Sequence, residues 1–214
     1  MTERTSHSRD YIPGMGKHWL LPLYDVVHHV FGLRPIHEEM VRLAGLRDGL
    51  RVLDVGCGTG NLLRTTGRTH PAVELTGLDP DQKALARARR KARRAGVAVR
   101  LDRGFAQDLP YPDGSFDRVF SSLMLHHLDS GSKDALLAEV RRVLRPDGVL
   151  VLADAVADGH GHGVRRGMSE RLGDNVGDAV SRRIAAAGFT VEPTRVLPLR
   201  AGGKVGIEVA TPSR

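Results

Sequence analysis

The sequence predicts an α/β domain on a doubly wound, seven-stranded sheet, mostly parallel, with an antiparallel hairpin strand near its C-terminal end and a helical arm before it. Three observations predict it. Short β-type runs alternate with helix-type stretches through five strands, as expected when helices cover both faces of a parallel sheet. The first run ends in a glycine-rich turn, Gly56-Cys57-Gly58-Thr59-Gly60, followed directly by a helix-type stretch. The last two runs are joined by Arg200-Ala201-Gly202-Gly203, a length that suits an antiparallel hairpin. With 214 residues, 41% hydrophobic and 27% charged, there is material for one sizeable core.

The elements follow in order. Residues 1–10 are polar and expected to fray. Residues 11–31 mix apolar and aromatic groups but are broken by Pro13, Gly14, Gly16 and Pro22, which predicts an irregular arm and then a helix after Pro22. A second helix is expected over 35–46, with Pro35 in its first turn and Ile36, Met40, Leu43 and Ala44 on one face. Residues 1–47 thus read as an N-terminal arm and 48–214 as the main domain, in a single structural unit. Strands are expected at 51–55, 73–78, 97–101, 116–121 and 149–154, the last apolar enough to be buried on both faces. Between them come a helix from Asn61, a long helix opened by Pro80-Asp81 and stopped by Gly96, and a helix over 132–144. After residue 155 the pattern loosens into glycine and charge. A helix over 174–187 and strands at 190–199 and 204–211 complete the reading.

The glycine turn carries the chemistry. Glycine permits positive φ and lets backbone approach a ligand. The helix that follows offers unpaired N–H groups at its start. Asp79 ends the second strand, where this topology places a carboxylate against the ribose hydroxyls of a nucleotide-like ligand. The dinucleotide pattern G-x-G-x-x-G is incomplete, because its third position is Asn61. Asp54, just ahead of the glycines, is electrostatically wrong beside a pyrophosphate and right beside the ammonium group of a methionine moiety. No Gly-Lys-Ser/Thr follows, which excludes a P-loop.

The segments LDVGCGTGNLL, LTGLDPD, LPYPDGSFDRVFSS and VLRPDGVLVLAD, in that order and spacing, resemble the class I S-adenosylmethionine-dependent methyltransferases, with close likeness over about residues 50–155. Within that superfamily the chain is similar to the small-molecule group that includes ubiquinone and menaquinone biosynthesis enzymes. The resemblance implies a Rossmann-like sheet in the order 3-2-1-4-5-7-6 and S-adenosyl-L-methionine as cofactor. It implies that Asp54 and the backbone of Gly56 and Gly58 hold the methionine part. Cys57, in the small-residue slot of the turn, and Asn61, which opens the helix behind it, are counted with the cofactor-binding residues. Asp79 is expected on the ribose, Pro80 and Asp81 beside the adenine, and Ser121 and Ser122 at the methionyl end. Phe105 and Ala106 stand where the superfamily usually has Asp-Ala, so an acidic contact to the adenine amino group is either missing or supplied by Asp102 or Asp108. The implied reaction is in-line displacement of the methyl group onto a small-molecule acceptor, with positioning as the main source of rate.

On the acceptor side, His126 and His127 follow the fourth strand, either as a general base or as a hydrogen-bonded structural pair. Tyr11, Met15, Trp19 and Tyr24, with His18, are expected to form a lid with aromatic walls, against the alternative of a helix packed on the sheet edge. His28 and His29 read as helix surface. His160 and His162 lack a third ligand, so no metal site is expected, and one cysteine excludes a disulfide framework. The chain has 32 Lys and Arg against 25 Asp and Glu, a net +7. Much of the excess, Lys83, Arg87, Arg89, Arg90, Lys91, Arg93 and Arg94, rings the helix after the second strand and reads as solvated surface. Two alternatives stand beside the main reading. The charge suggests a nucleic-acid methyltransferase. However, Ser121-Ser122-Leu123-Met124 occupies the position where amino-methylating enzymes of this fold carry an N/D-P-P-Y type motif, so no nucleic-acid partner is expected. The other alternative is a non-catalytic cofactor-binding partner protein. No apolar run is long enough to span a membrane and the first ten residues, MTERTSHSRD, are polar, so a cytoplasmic location is expected.

Overall fold

Val52 and Leu53 are both fully buried, although adjacent strand residues point to opposite faces of a sheet. Their strand is therefore covered on both sides. The computed structural model describes residues 32–156, 178–200 and 202–213. Its helices are Arg34–Leu43 (α1), Asn61–Thr69 (α2), Gln82–Arg94 (α3), Ser130–Val143 (α4) and Ala179–Ala186 (α5). Its strands are Arg51–Val55 (β1), Glu74–Asp79 (β2), Arg100–Arg103 (β3), Phe116–Ser122 (β4), Leu144–Val156 (β5), Phe189–Val191 (β6), Arg195–Pro198 (β7) and Lys204–Pro212 (β8).

One sheet runs β3-β2-β1-β4-β5-β8-β6, with β7 also on β8. Pairing is parallel from β3 through β5 and antiparallel wherever β8 takes part. Leu53, Val119, Leu150 and Leu152 bury against Leu136, Leu137 and Val140 of α4 and Ile184 of α5. Val52, Leu75, Phe120, Val151 and Ile207 bury against Ile36 and Met40 of α1, Leu62 and Leu63 of α2 and Leu85 of α3. Each such aliphatic side chain contributes about 1.5–3 kcal/mol of burial free energy. Part of the segment read as an arm therefore lies in the second core: α1 packs on β5, β8 and α2. α3 opens with a side-chain cap, Asp81 Oδ1 accepting the N–H of Lys83 at 2.7 Å and of Ala84 at 3.3 Å.

Several boundaries differ from the sequence reading, three of them for a visible physical reason. The third strand begins at Arg100 rather than 97, because the Val97 N–H still closes α3 on Ala92 O at 3.0 Å. β5 begins at Leu144 rather than 149, its pairing with β4 shifting register between Phe116 and Arg118 and so taking in the turn around Pro146. The strand expected over 190–199 divides into β6 and β7 around Pro193, which has no N–H to give a ladder. That division gives eight strands in place of seven; β8 holds the place of the seventh, antiparallel between β5 and β6. Of the helix expected over 174–187, the described part is α5. Among the described residues no helix is long and apolar enough to cross a membrane.

Candidate active site

The carboxyl ends of β1, β2, β4 and β5 share one edge, where a doubly wound sheet opens its crevice. β1 delivers Asp54 there and then turns through Gly56, Gly58 and Gly60, with φ of 72°, 52° and 74°. The turn is bound to the neighbouring strand. Gly56 and Cys57 N–H both donate to Leu78 O, at 2.8 and 3.0 Å. The Gly58 N–H donates to Asp79 Oδ2 at 2.9 Å and the Asp81 N–H to Asp79 Oδ1 at 2.8 Å. Space is as tight as the dihedrals: a Cβ on Gly56 would sit 2.5 Å from Met124 Cγ, and one on Gly60 2.9 Å from Ala88 Cβ.

This edge concentrates buried acid. Asp54 is 2% exposed. Burial, and secondarily the charge of Asp79, push its carboxyl well above the usual range. No hydrogen bond among the described residues offsets this. Burial also raises Asp79, opposed by the N–H groups of Asp81 and Gly58. The Cys57 thiol is pushed well up by burial and by both carboxylates, so it stays protonated and acts as a small spacer. Ser121 Oγ, on the strand beside β1, is buried with no hydrogen-bond partner among the described residues. Ser122 Oγ lies 3.2 Å from His37 Nε2 of α1. Pro80 is half-buried beside Asp79, and Ala106 is buried and Phe105 half-buried in the turn after β3. Asp102 is committed elsewhere, to Arg100 Nε at 2.8 Å and to the Tyr111 hydroxyl at 3.0 Å.

Asn61 is held from behind. Lys91 Nζ donates to Asn61 Oδ1 at 2.9 Å and to Thr59 Oγ1 at 2.8 Å, tying α3 to the glycine turn. Sequence reasoning placed Lys91 among solvated basic residues. The available signal was helical phase: it stands three residues after Ala88, the residue that meets Gly60.

Past β4 the chain strains. Leu123 has φ 52°, the single positive value at a non-glycine residue among those described. Its N–H donates to Ala153 O at 2.8 Å before a short 3₁₀ turn, Leu125–His127. The His126 N–H donates to Asp154 Oδ2 at 2.9 Å, and His126 Nδ1 lies 2.5 Å from Asp154 Oδ1. The His127 ring lies against it, centroids 4.1 Å apart. Asp154 went unmarked in the sequence because only the pairing of β4 with β5 brings it to His126. Tyr11, Met15, His18, Trp19, Tyr24, His28, His29, His160 and His162 lie outside the described residues. Among the described residues no group of three or more His, Cys, Asp or Glu could hold a metal ion.

Residues 52–148 match a family described as a methyltransferase domain. The 27-O-demethylrifamycin SV methyltransferase of Amycolatopsis mediterranei is 40% identical over 119 residues, 53% of this chain and 42% of that protein. The demethylmenaquinone methyltransferase of Deinococcus radiodurans is 35% identical over 138 residues, 63% of this chain and 56% of that one. The chain spans about half the length of the curated relatives it matches. In fold it is similar to Haemonchus contortus phosphoethanolamine N-methyltransferase 2 in complex with S-adenosyl-L-methionine, with TM-score 0.76, 16% identity, and coverage of 94% of this chain and 58% of that one. The [4+2]-cyclase SpnF gives TM-score 0.73 at 22% identity over 84% of this chain and 81% of that one.

Proposed function

We propose that this chain, whose residues 52–148 match a family described as a methyltransferase domain, is a class I, S-adenosylmethionine-dependent enzyme that transfers a methyl group to a small-molecule acceptor by in-line displacement. The observation that carries this is the pair Asp54 and Asp79, buried at adjacent strand ends around the glycine turn. A buried carboxyl with nothing to offset its burial suits a cation, and the methionyl ammonium is one. Asp79, whose oxygens already orient Gly58 and Asp81, takes the ribose hydroxyls. Gly56 and Gly58 let backbone close on the methionyl part, and Cys57 keeps the turn narrow. Asn61 acts through the brace from Lys91. Pro80, Phe105 and Ala106 wall the adenine. Ser121, buried without a hydrogen-bond partner among the described residues, and Ser122 line the methionyl end.

The bound cofactor supplies a sulfonium with a transferable methyl group. The chain's part is to hold the acceptor in line with the methyl and sulfur and to exclude water, which is where positioning contributes most. His126 and His127 face the acceptor side. The names of the rifamycin and menaquinone relatives support a small organic acceptor.

Calorimetric titration with S-adenosylmethionine tests the assignment. Asp79→Ala is expected to lose roughly 1.5–3 kcal/mol of binding, the worth of hydrogen bonds to a charged group. Unchanged affinity overturns the role given to Asp79.

A further inference from the structure

We propose that His37 of α1 is a positioning residue for the cofactor: its ring holds the Ser122 hydroxyl so that Ser122 donates to the methionyl carboxylate, and the pair makes the site select S-adenosylmethionine over its decarboxylated form. This rests on the methyl-transfer reading above. His37 is 4% exposed, on the face of α1 that also buries Ile36, Met40 and Val41. A polar ring inside an apolar helix face is costly unless it is hydrogen-bonded. Its Nε2 lies 3.2 Å from Ser122 Oγ, 85 residues away in sequence. Ser122 is the last residue of β4, half-buried at the carboxyl edge, just before the strained turn at Leu123. The imidazole is thus the buried partner, and the serine is the one that reaches the edge of the crevice.

Alternation along the strands puts this pair on the same side of the sheet as Asp54. Asp54 stands opposite Phe120 in the register of β1 with β4. Val52 and Phe120 bury into the core that holds Ile36 and Met40 of α1. Asp54, two residues past Val52, and Ser122, two residues past Phe120, therefore share that face as diagonal neighbours on adjacent strands. Ser121 points to the opposite face.

An α-amino acid carries its ammonium and its carboxylate on one carbon. A site that holds the ammonium at a buried acid must therefore offer the carboxylate a donor nearby, against the like charge of that acid. Much of the glycine turn is already committed. The Gly56 and Cys57 N–H groups go to Leu78 O, that of Gly60 to Cys57 O and that of Gly58 to Asp79. Lys91, the cation behind the turn, is bonded to Thr59 and Asn61. Ser122 supplies a donor on the face of Asp54. A hydroxyl can accept one hydrogen bond while giving another. His37 Nε2–H donates to Oγ, which leaves the Ser122 O–H for the carboxylate. The decarboxylated cofactor keeps the ammonium for Asp54 but leaves the hydroxyl without its acceptor, and a polar group stranded in this way discriminates strongly.

The test is calorimetric titration of the full chain with S-adenosylmethionine and with decarboxylated S-adenosylmethionine, which keeps the sulfonium and an ammonium. The wild-type chain is expected to bind the complete cofactor at least about tenfold more tightly. Ser122→Ala should weaken that binding roughly 10- to 100-fold and His37→Leu about tenfold, with affinity for the decarboxylated compound held within about twofold. Because His37 acts through Ser122, the double variant should bind no more than about twofold worse than Ser122→Ala alone. His37→Gln, which keeps a donor, should recover part of the loss. An α1 that merely packs less well would weaken both compounds alike. Equal losses for the two compounds, or affinity for S-adenosylmethionine near wild type in His37→Leu, overturn the proposal. Should His37→Leu not fold, equal losses in Ser122→Ala or in His37→Gln overturn it in the same way. If the wild-type chain binds neither compound, the methyl-transfer reading falls, and this proposal with it.

Discussion

Asp54 is buried where ionising it is costly, which gives the site a pH signature of definite sign. Its folded-state pKa lies above the ordinary 3.8, as does that of Asp79. For the chain without ligand, each group's contribution to stability is full below that ordinary value and is lost as pH rises through the raised folded value. A ligand with a cation at Asp54 works in the opposite direction, since it favours the carboxylate. The rise in melting temperature produced by saturating S-adenosylmethionine should therefore grow as pH climbs from about 3.8 and then level off. Asp54→Asn should flatten that dependence. Thermal unfolding over an acidic pH series measures it, and a wild-type increment that does not change with pH contradicts the ammonium role.

At the scale of elements, the connection between α3 and the glycine turn is the part most open to test. Lys91→Met keeps the helix and its stem packing but removes two charge-assisted hydrogen bonds, to Thr59 and Asn61. A roughly tenfold weaker cofactor Kd, about 1.4 kcal/mol, is expected at unchanged helix content. An unchanged Kd in a titration removes Lys91 from the site. The same elements explain what could be read in advance. β1, the glycine turn and Asp79 were legible because each is a local pattern of a few residues. The split at Pro193 and the early start of β5 were not, because pairing with β8 and β4 decides them. Lys91 was hidden by helical phase within a run of like charges. Asp154 was hidden because its partner lies 28 residues away in sequence.

The whole molecule is a two-faced sheet with a core on each side. Its first described helix, α1, belongs to one of those cores: Ile36 and Met40 lie among the same buried residues as Val52 and Phe120. Charge reads differently at this scale as well. Lys91 braces the glycine turn, whereas Arg89, Arg90, Arg93 and Arg94 stand exposed on the same helix. The net +7 is thus partly structural and partly solvated surface. The most direct measurement incubates the full chain with methyl-labelled S-adenosylmethionine and a whole cell extract, then separates small molecules from RNA and protein. The account predicts label in the small-molecule fraction, lost with Asp79→Ala. Label confined to RNA or protein, or none transferred, would contradict it.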